Sequence, residues 1–306
     1  MRYVASCAPS ILARSKYRSR GEGTEMAQIV IAEEAGACYG VERALELVLS
    51  ASESVEGPLH TLGPLIHNPL VVHDLEERGV TVVEDAQEVE PGSTLVLRTH
   101  GVTPKVKEDA LAAGAKVIDA TCPFVMRAHR AAERLERDGY QVLIVGEAGH
   151  PEVEGTLGHA PSAIVVGSPE EVAGIELCKK VGIVVQTTQS KENLLNVISA
   201  LVGRTEELRL IDTICEATSG HQGACERLSK KADVMVVIGG KNSANTTHLA
   251  EIAQKNCRRT HHIERDVELD PTWFSDAELI GITAGASTPA TQIESVRQRI
   301  QTMLES

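Results

Sequence analysis

The chain has 306 residues, 42% of them apolar, enough for one large domain or two to three smaller ones around packed cores. Thirty Lys and Arg against 43 Asp and Glu leave a net charge of −13, a field that repels nucleic acid and anionic membranes alike. With two Phe, one Trp and four Tyr, the chain lacks a stacking platform for single strands and must fill its core with Val, Ile, Leu and Ala.

Met1 to Arg20 is basic, Ser-containing and free of acids, the composition of an organelle transit segment or of a start codon assigned too early. Met26 opens AQIVIAE, which reads as a buried strand, so residues 1–25, with Cys7, are taken as an extension outside the fold. From there β-branched runs alternate with amphipathic stretches. Strands are expected at 28–32, 94–97, 116–118, 142–145, 182–185, 234–238 and 279–282, and helices at 41–49, 104–113, 125–137, 191–202, 221–231, 247–255 and 290–304. This alternation predicts an α/β protein with parallel sheets covered on both faces. No apolar run reaches the roughly eighteen residues of a spanning helix, so a soluble protein is expected. Seven cysteines without a secretory signal point to a reducing, cytoplasmic setting.

Three strand-to-helix junctions carry a cysteine: Cys38 in GACYGVERAL, Cys122 in DATCPFVM and Cys215 in TICEATSG. They are separated by near-equal lengths of chain, which divides it into three comparable α/β units, 26–120, 121–210 and 211–306. Each unit offers one thiol beside a helix N-terminus, whose dipole favours the thiolate. Structural zinc prefers local cysteine pairs, and the chain has no C-x-x-C. Three isolated cysteines suit an iron–sulfur cluster with one iron left open, with buried packing cysteines as the alternative. Cys178, Cys225 and Cys257 fit the packing alternative.

The remaining junctions carry small polar or imidazole groups: His67 and Asn68, His100, His150 and Glu152, Thr187 and Thr188, Lys241 to Ser243 with Asn245, and Ser287. A single such residue is ordinarily a cap or a surface group. Six loops of this kind offer many donors and few acids, the chemistry of a phosphate or diphosphate pocket, with Glu152 as the available proton donor. No G-x-G-x-x-G lies between strand and helix, which argues against an internal nicotinamide site.

The segments GACYGVERAL, HNPLVV, THGV, DATCP, GHPEVEGT, QTT, GGKNSANT and TAGAST resemble, in order, the motif series of the 4-hydroxy-3-methylbut-2-enyl diphosphate reductase family, also called IspH/LytB. The resemblance runs from Met26 to about Leu304. It implies a trefoil of three pseudo-threefold-related α/β units around one [4Fe-4S] cluster held by Cys38, Cys122 and Cys215, its fourth iron open to substrate. It further implies a diphosphate held by His67, His100, Ser243, Ala244 (through its backbone), Asn245 and Ser287. His150 and Thr187 would stand near the allylic end, and Glu152 would supply the proton, with Thr187 or Thr188 as relay. The implied activity is reductive dehydroxylation to isopentenyl and dimethylallyl diphosphates, with ferredoxin, flavodoxin or a similar protein as electron donor. The alternatives are another open-cluster hydratase or reductase acting on a related diphosphate, and a non-catalytic iron–sulfur protein.

Two positions depart from the family pattern. Ala244 stands where a second Ser is common, a lost hydrogen bond to a charged group of about 1.5 to 3 kcal/mol. His221 stands where Arg is common, and would make a carboxylate contact pH-dependent. His261 and His262 are read as surface or edge residues, Glu33 and Glu34 as a solvated pair, and His159 and His248 receive no role.

Overall fold

The computed structural model describes residues 27–306, so the expected extension 1–25 and Cys7 lie outside the described residues. Strand β1 (Gln28–Ile31) leads into helix α1 (Tyr39–Ser54). Then come β2 (Leu59–Leu62), α2 (Pro69–Glu77), β3 (Val80–Val83), β4 (Thr94–Leu97), α3 (Pro104–Ala112) and β5 (Lys116–Asp119). Helix α4 (Pro123–Arg137) opens a second series: β6 (Gln141–Val145), α5 (Pro151–His159), β7 (Ile164–Val166), α6 (Pro169–Ala173), β8 (Lys180–Val185), α7 (Lys191–Leu201) and β9 (Glu207–Leu210). The third opens with α8 (Glu216–Ser229) and continues through β10 (Val234–Ile238), α9 (Ala244–Asn256), β11 (Thr260–Ile263), β12 (Leu279–Ala284) and α10 (Ala290–Leu304).

The strands form three four-stranded sheets of equivalent order, β1-β12-β10-β11, β3-β2-β4-β5 and β7-β6-β8-β9, and every pairing is parallel. The central strands are continuous apolar runs, TLVL in β4 and VMVVI in β10, buried at every position because helices cover both faces. On the β4 sheet, α1 and α2 pack one face through Val41, Ala44, Val48, Val71 and Leu75, while α3 covers the other around Ala110.

The α/β class and the three-unit trefoil hold, but the boundary of the first unit moves. β1, expected to open a unit of 26–120, pairs with β12 instead, Val30 opposite Gly281, and completes the sheet of the C-terminal unit. It is also an edge strand of partly exposed residues, not the buried strand its composition suggests. β-branched content reports strand formation, whereas the neighbour is set by tertiary pairing.

This topology positions the thiols. β1, β5 and β9 are edge strands in equivalent places, each followed by a cysteine and then by a helix that packs on the next sheet. Helix α1 packs on the β2 to β5 sheet, α4 on the β6 to β9 sheet through Ala132 and Leu135, and α8 on the β10 sheet through Ala224 and Leu228. Each cysteine therefore sits at a seam, between a strand of one unit and a helix of the next.

Candidate active site

Cys38, Cys122 and Cys215 are the N-cap residues of α1, α4 and α8. A common device anchors them: the backbone N–H of Cys38 donates to Ala286 O at 3.0 Å, that of Cys122 to Thr99 O at 3.0 Å, and that of Cys215 to Thr187 O at 3.1 Å. Each acceptor lies in or beside a polar loop, next to Ser287, next to His100, or at Thr187 itself. One backbone hydrogen bond per seam thus places a thiol beside a group of candidate donors.

The loops converge on one cavity of about 120 Å³, lined by all three cysteines and by His67, His100, His150, Glu152, Thr187, Thr188, Ser243, Ala244, Asn245 and Ser287. Every site residue expected from sequence reaches it. Among the looser candidates, Lys241 points away into an ion pair with Glu268 at 3.2 Å, and Asn242 is exposed. Asn68 caps α2, accepting from Leu70 N–H at 3.1 Å, and donates to Ser287 O at 2.9 Å, so it orders the loop without lining the cavity.

Burial, not the helix dipole, dominates the thiols. It raises the Cys38 and Cys122 pKa values, opposed by the N–H groups of Val41 and Gly40 at Cys38 and of Phe124 and Val125 at Cys122. At Cys38 and Cys122 the lowered values expected beside helix N-termini are not met. Cys215 Sγ accepts from Thr218 N–H at 3.3 Å and meets Thr218 Oγ1 at 2.9 Å, a contact the sequence reading missed although Thr218 stands at the N3 position of its cap. Gly40 keeps the space between thiols open: a Cβ there would lie 2.6 Å from Cys122 Sγ and 3.9 Å from Cys38 Sγ. Among the described residues no three His, Cys, Asp or Glu side chains close on a single metal ion. Of the other cysteines, Cys225 and Cys257 are buried packing residues as expected, but Cys178 is exposed.

The three imidazoles form a cluster, with ring centroids 4.2 Å apart for His67 and His100, 5.5 Å for His67 and His150, and 5.8 Å for His100 and His150. Burial lowers all three pKa values, that of His150 to about 4 and that of His100 well below the ordinary range; neighbouring rings add to it at His100 and His150, and the charge of Arg98 at all three. They are neutral at pH 7. His150 caps α5, its Nδ1 accepting from Glu152 N–H at 3.1 Å, which assigns the ring proton to Nε2. Both nitrogens of His67, Nδ1 of His100 and both polar atoms of the Asn245 amide are buried without hydrogen-bond partners. Native interiors rarely leave such groups unsatisfied, and five around one cavity indicate a missing polar ligand.

Glu152 is 2% exposed, at the second position of α5. GHPEVEG reads as a loop because of its Gly and Pro, yet Pro151 at the first helical position starts a helix and fixes the carboxyl against the neighbouring loop. Thr187 donates to it twice, from N–H to Oε1 at 2.6 Å and from Oγ1 to Oε2 at 2.8 Å. Burial nevertheless wins over these bonds and lifts the pKa to about 7. The Thr188 hydroxyl accepts from Gln186 Nε2 at 3.1 Å and does not touch Glu152, so of the two threonines Thr187 is the partner of the acid.

His221 meets no carboxylate. It is buried, with Nδ1 against Ala217 O and Nε2 2.9 Å from Gly36 O, tying α8 to the segment that leads to Cys38. His261 and His262 lie on edge strand β11; His261 stacks on Trp273 at 3.8 Å and His262 Nε2 meets Gly239 O at 2.9 Å. His159 stacks on the buried His129 at 4.5 Å, and His248 Nδ1 lies 3.1 Å from Thr188 O. Glu33 is paired with Arg227 at 3.1 Å and exposed.

Three parallel sheets whose seams deliver thiols to one cavity with unsatisfied polar groups and a buried acid of raised pKa define a trefoil α/β enzyme acting on a small anion. The chain belongs to the LytB protein family, whose profile matches residues 29–301. It is 48% identical over 275 residues to a 4-hydroxy-3-methylbut-2-enyl diphosphate reductase of Geobacter sulfurreducens, covering 90% of this chain and 97% of that one. A solved structure of (E)-4-hydroxy-3-methyl-but-2-enyl diphosphate reductase, described as the terminal enzyme of the non-mevalonate pathway, is 43% identical and superimposes with a TM-score of 0.69, covering 90% of this chain and 100% of its own. The E-1-hydroxy-2-methyl-but-2-enyl-4-diphosphate reductase of Plasmodium falciparum is 27% identical, with a TM-score of 0.86 over 90% of this chain and 88% of that one.

Proposed function

We infer that this protein reduces 4-hydroxy-3-methylbut-2-enyl diphosphate to isopentenyl and dimethylallyl diphosphates, the last step of the non-mevalonate route to isoprenoids. The C–O bond of the allylic alcohol breaks, two electrons and two protons are taken up, and the hydroxyl leaves as water. The observation that carries this reading beyond family membership is Glu152, a carboxyl kept protonated to about pH 7 on the wall of a cavity rimmed by three thiols and unsatisfied donors.

The residues fit an iron–sulfur cluster. Three thiols at three separate helix N-termini, with a glycine where a side chain would fill the space between them, match thiolate ligation of a polynuclear group better than that of a single ion. Cys38, Cys122 and Cys215 would hold a [4Fe-4S] cluster by three irons. When bound, such a cluster supplies electrons one at a time and a Lewis-acid position at its fourth iron.

The chain's own groups do the rest. The N–H groups of His67 and His100 and the Asn245 amide donate to the diphosphate, joined by the Ser243 hydroxyl, by the Ser287 hydroxyl once it turns from His67 O, to which it donates at 3.2 Å, and by the backbone N–H of Ala244 at the start of α9. His150, held as its Nε2–H tautomer, and Thr187 face the allylic end. Glu152 gives its proton to the departing hydroxyl, and Thr187 keeps the carboxyl aimed. The apolar side chains of Val41, Ile66 and Val125 line the same cavity and limit its water. We assign the electrons to ferredoxin, flavodoxin or a similar donor and the protein to the cytoplasm; no helix among the described residues is long and apolar enough to cross a membrane.

The test is anaerobic turnover of the substrate by cluster-reconstituted protein with a chemical reductant, following both products. Formation of both, abolished in Cys122→Ser, is the expected result. A protein that holds its cluster and makes neither product overturns the reading.

A further inference from the structure

Arg98 stands at the carboxyl end of β4, two residues before His100, and does not line the cavity. Its guanidinium reaches across to the end of β2, where Gly63, at φ +64, opens the loop that carries His67; a Cβ on Gly63 would overlap Arg98 Nη1. The cation therefore lies behind the wall, between the roots of the two histidine loops.

Its surroundings are unusual for a half-buried charge. Arg98 Nε is buried with no hydrogen-bond partner. Glu84 is the acid whose charge favours it, and no hydrogen bond joins the two. Even partial desolvation of a guanidinium without a paired carboxylate has a cost, and this chain, at −13, has acids in surplus that could have been placed there. The Arg98 charge is felt instead by His67, His100 and His150, whose protonation it disfavours. The loops of His67 and His100 lie between the fixed cation and a cavity of unsatisfied polar groups, and an anion in that cavity would complete the pair.

We propose that Arg98 is the fixed cation of the diphosphate pocket, a positioning residue that attracts the substrate's phosphates through the wall formed by His67 and His100. The proposal rests on the diphosphate reading of the site given above. Neutral imidazoles donate hydrogen bonds but carry no charge, so beyond the start of α9 the attraction for a polyanion calls for a group that stays ionised when partly buried, which guanidinium does. Arg98 touches no reacting atom and acts on binding, not on bond breaking.

The test uses cluster-loaded protein, calorimetric titration with inorganic pyrophosphate at several salt concentrations, and anaerobic turnover. Arg98→Met is expected to bind pyrophosphate about tenfold more weakly and to raise KM by a similar factor, with kcat within about twofold. Its affinity should also depend less on salt than that of the wild type. Arg98→Lys, which keeps the charge, should recover most of the affinity. Arg98→Met that binds as the unchanged protein does, with the same salt dependence, overturns the proposal. So does Arg98→Lys as weak as Arg98→Met, since shape and not charge would then be what Arg98 supplies. An unchanged protein that does not bind pyrophosphate overturns the diphosphate reading together with this one.

Discussion

Thr187 holds both oxygens of the Glu152 carboxyl, at 2.6 Å through its N–H and 2.8 Å through its hydroxyl, and its own carbonyl accepts the N–H of Cys215 at 3.1 Å. One residue thus fixes the proton donor relative to a thiol. Glu152→Gln keeps the shape and loses the acid, and should lower kcat by about 10²- to 10⁴-fold with pyrophosphate affinity unchanged. Thr187→Val removes only the hydroxyl and should cost about tenfold in kcat. Single-turnover kinetics on cluster-loaded variants measure both. A Glu152→Gln enzyme with normal kcat would remove the acid role.

The sign of the pH dependence follows from the Glu152 carboxyl, which burial lifts from 4.5 to about 7. The acid form is present below that value and fades above it, so turnover should fall with an apparent pKa near 7, about tenfold per pH unit on the alkaline side. In Glu152→Gln that limb should disappear. The same shift favours the folded chain fully below pH 4.5, and that contribution is lost as pH rises to about 7. A pH–rate profile flat to about pH 9 would contradict the assignment.

Gly40→Ala sets two effects against each other. Alanine favours a helix over glycine by about 1 kcal/mol, which alone would stabilise α1. Its Cβ, however, would lie 2.6 Å from Cys122 Sγ, closer than a real Cβ contact, and the thiol must move. The variant should melt at or above the wild-type temperature as the metal-free chain and yet bind less than half the iron on reconstitution, read by iron assay and visible absorbance.

Ala244 is buried at the first position of α9 and lines the cavity. Ala244→Ser adds a hydroxyl beside the Ser243 and Asn245 donors and should lower KM by roughly tenfold, the size of one hydrogen bond to a charged group, with kcat little changed. Steady-state kinetics with the natural substrate read it. An unchanged KM would mean that the backbone N–H already serves that phosphate oxygen.

Much of this architecture can be read from sequence where local pattern is strong. Helix α10 falls at 290–304 as its apolar spacing predicts, and the buried runs of β4 and β10 lie at the expected residues. The short strands β2, β3, β7, β9 and β11 are not among those expected from sequence: LHTL, ELRL and THHI carry too few consecutive β-branched residues to separate from loop, and VTVV and IVV, although β-branched throughout, are only four and three residues long. The placement of β1 beside β12 has no local signature at all. The cavity residues are readable because each lies in a distinct motif in the loop after a strand or in the first turn of the helix that follows it. Arg98 is not, although it stands in the RTHGV segment, because its role depends on what fails to pair with it across the fold. The thiol pKa values went the other way from the local expectation since burial, a tertiary property, outweighs the helix end.

The union of β1 with β12 also sets a schedule for biosynthesis. Cys38 is translated first of the three thiols and yet is anchored last, since its N–H partner, Ala286 O, belongs to the final stretch of the chain. A polypeptide still emerging from the ribosome already carries Thr99 and Thr187, the carbonyl partners of Cys122 and Cys215, when those cysteines appear, but not the partner of Cys38. A chain that stops short of β12 therefore keeps two of the three anchoring bonds, and under the cluster ligation proposed above the three-thiol site is complete only once the last stretch of the chain has joined the fold.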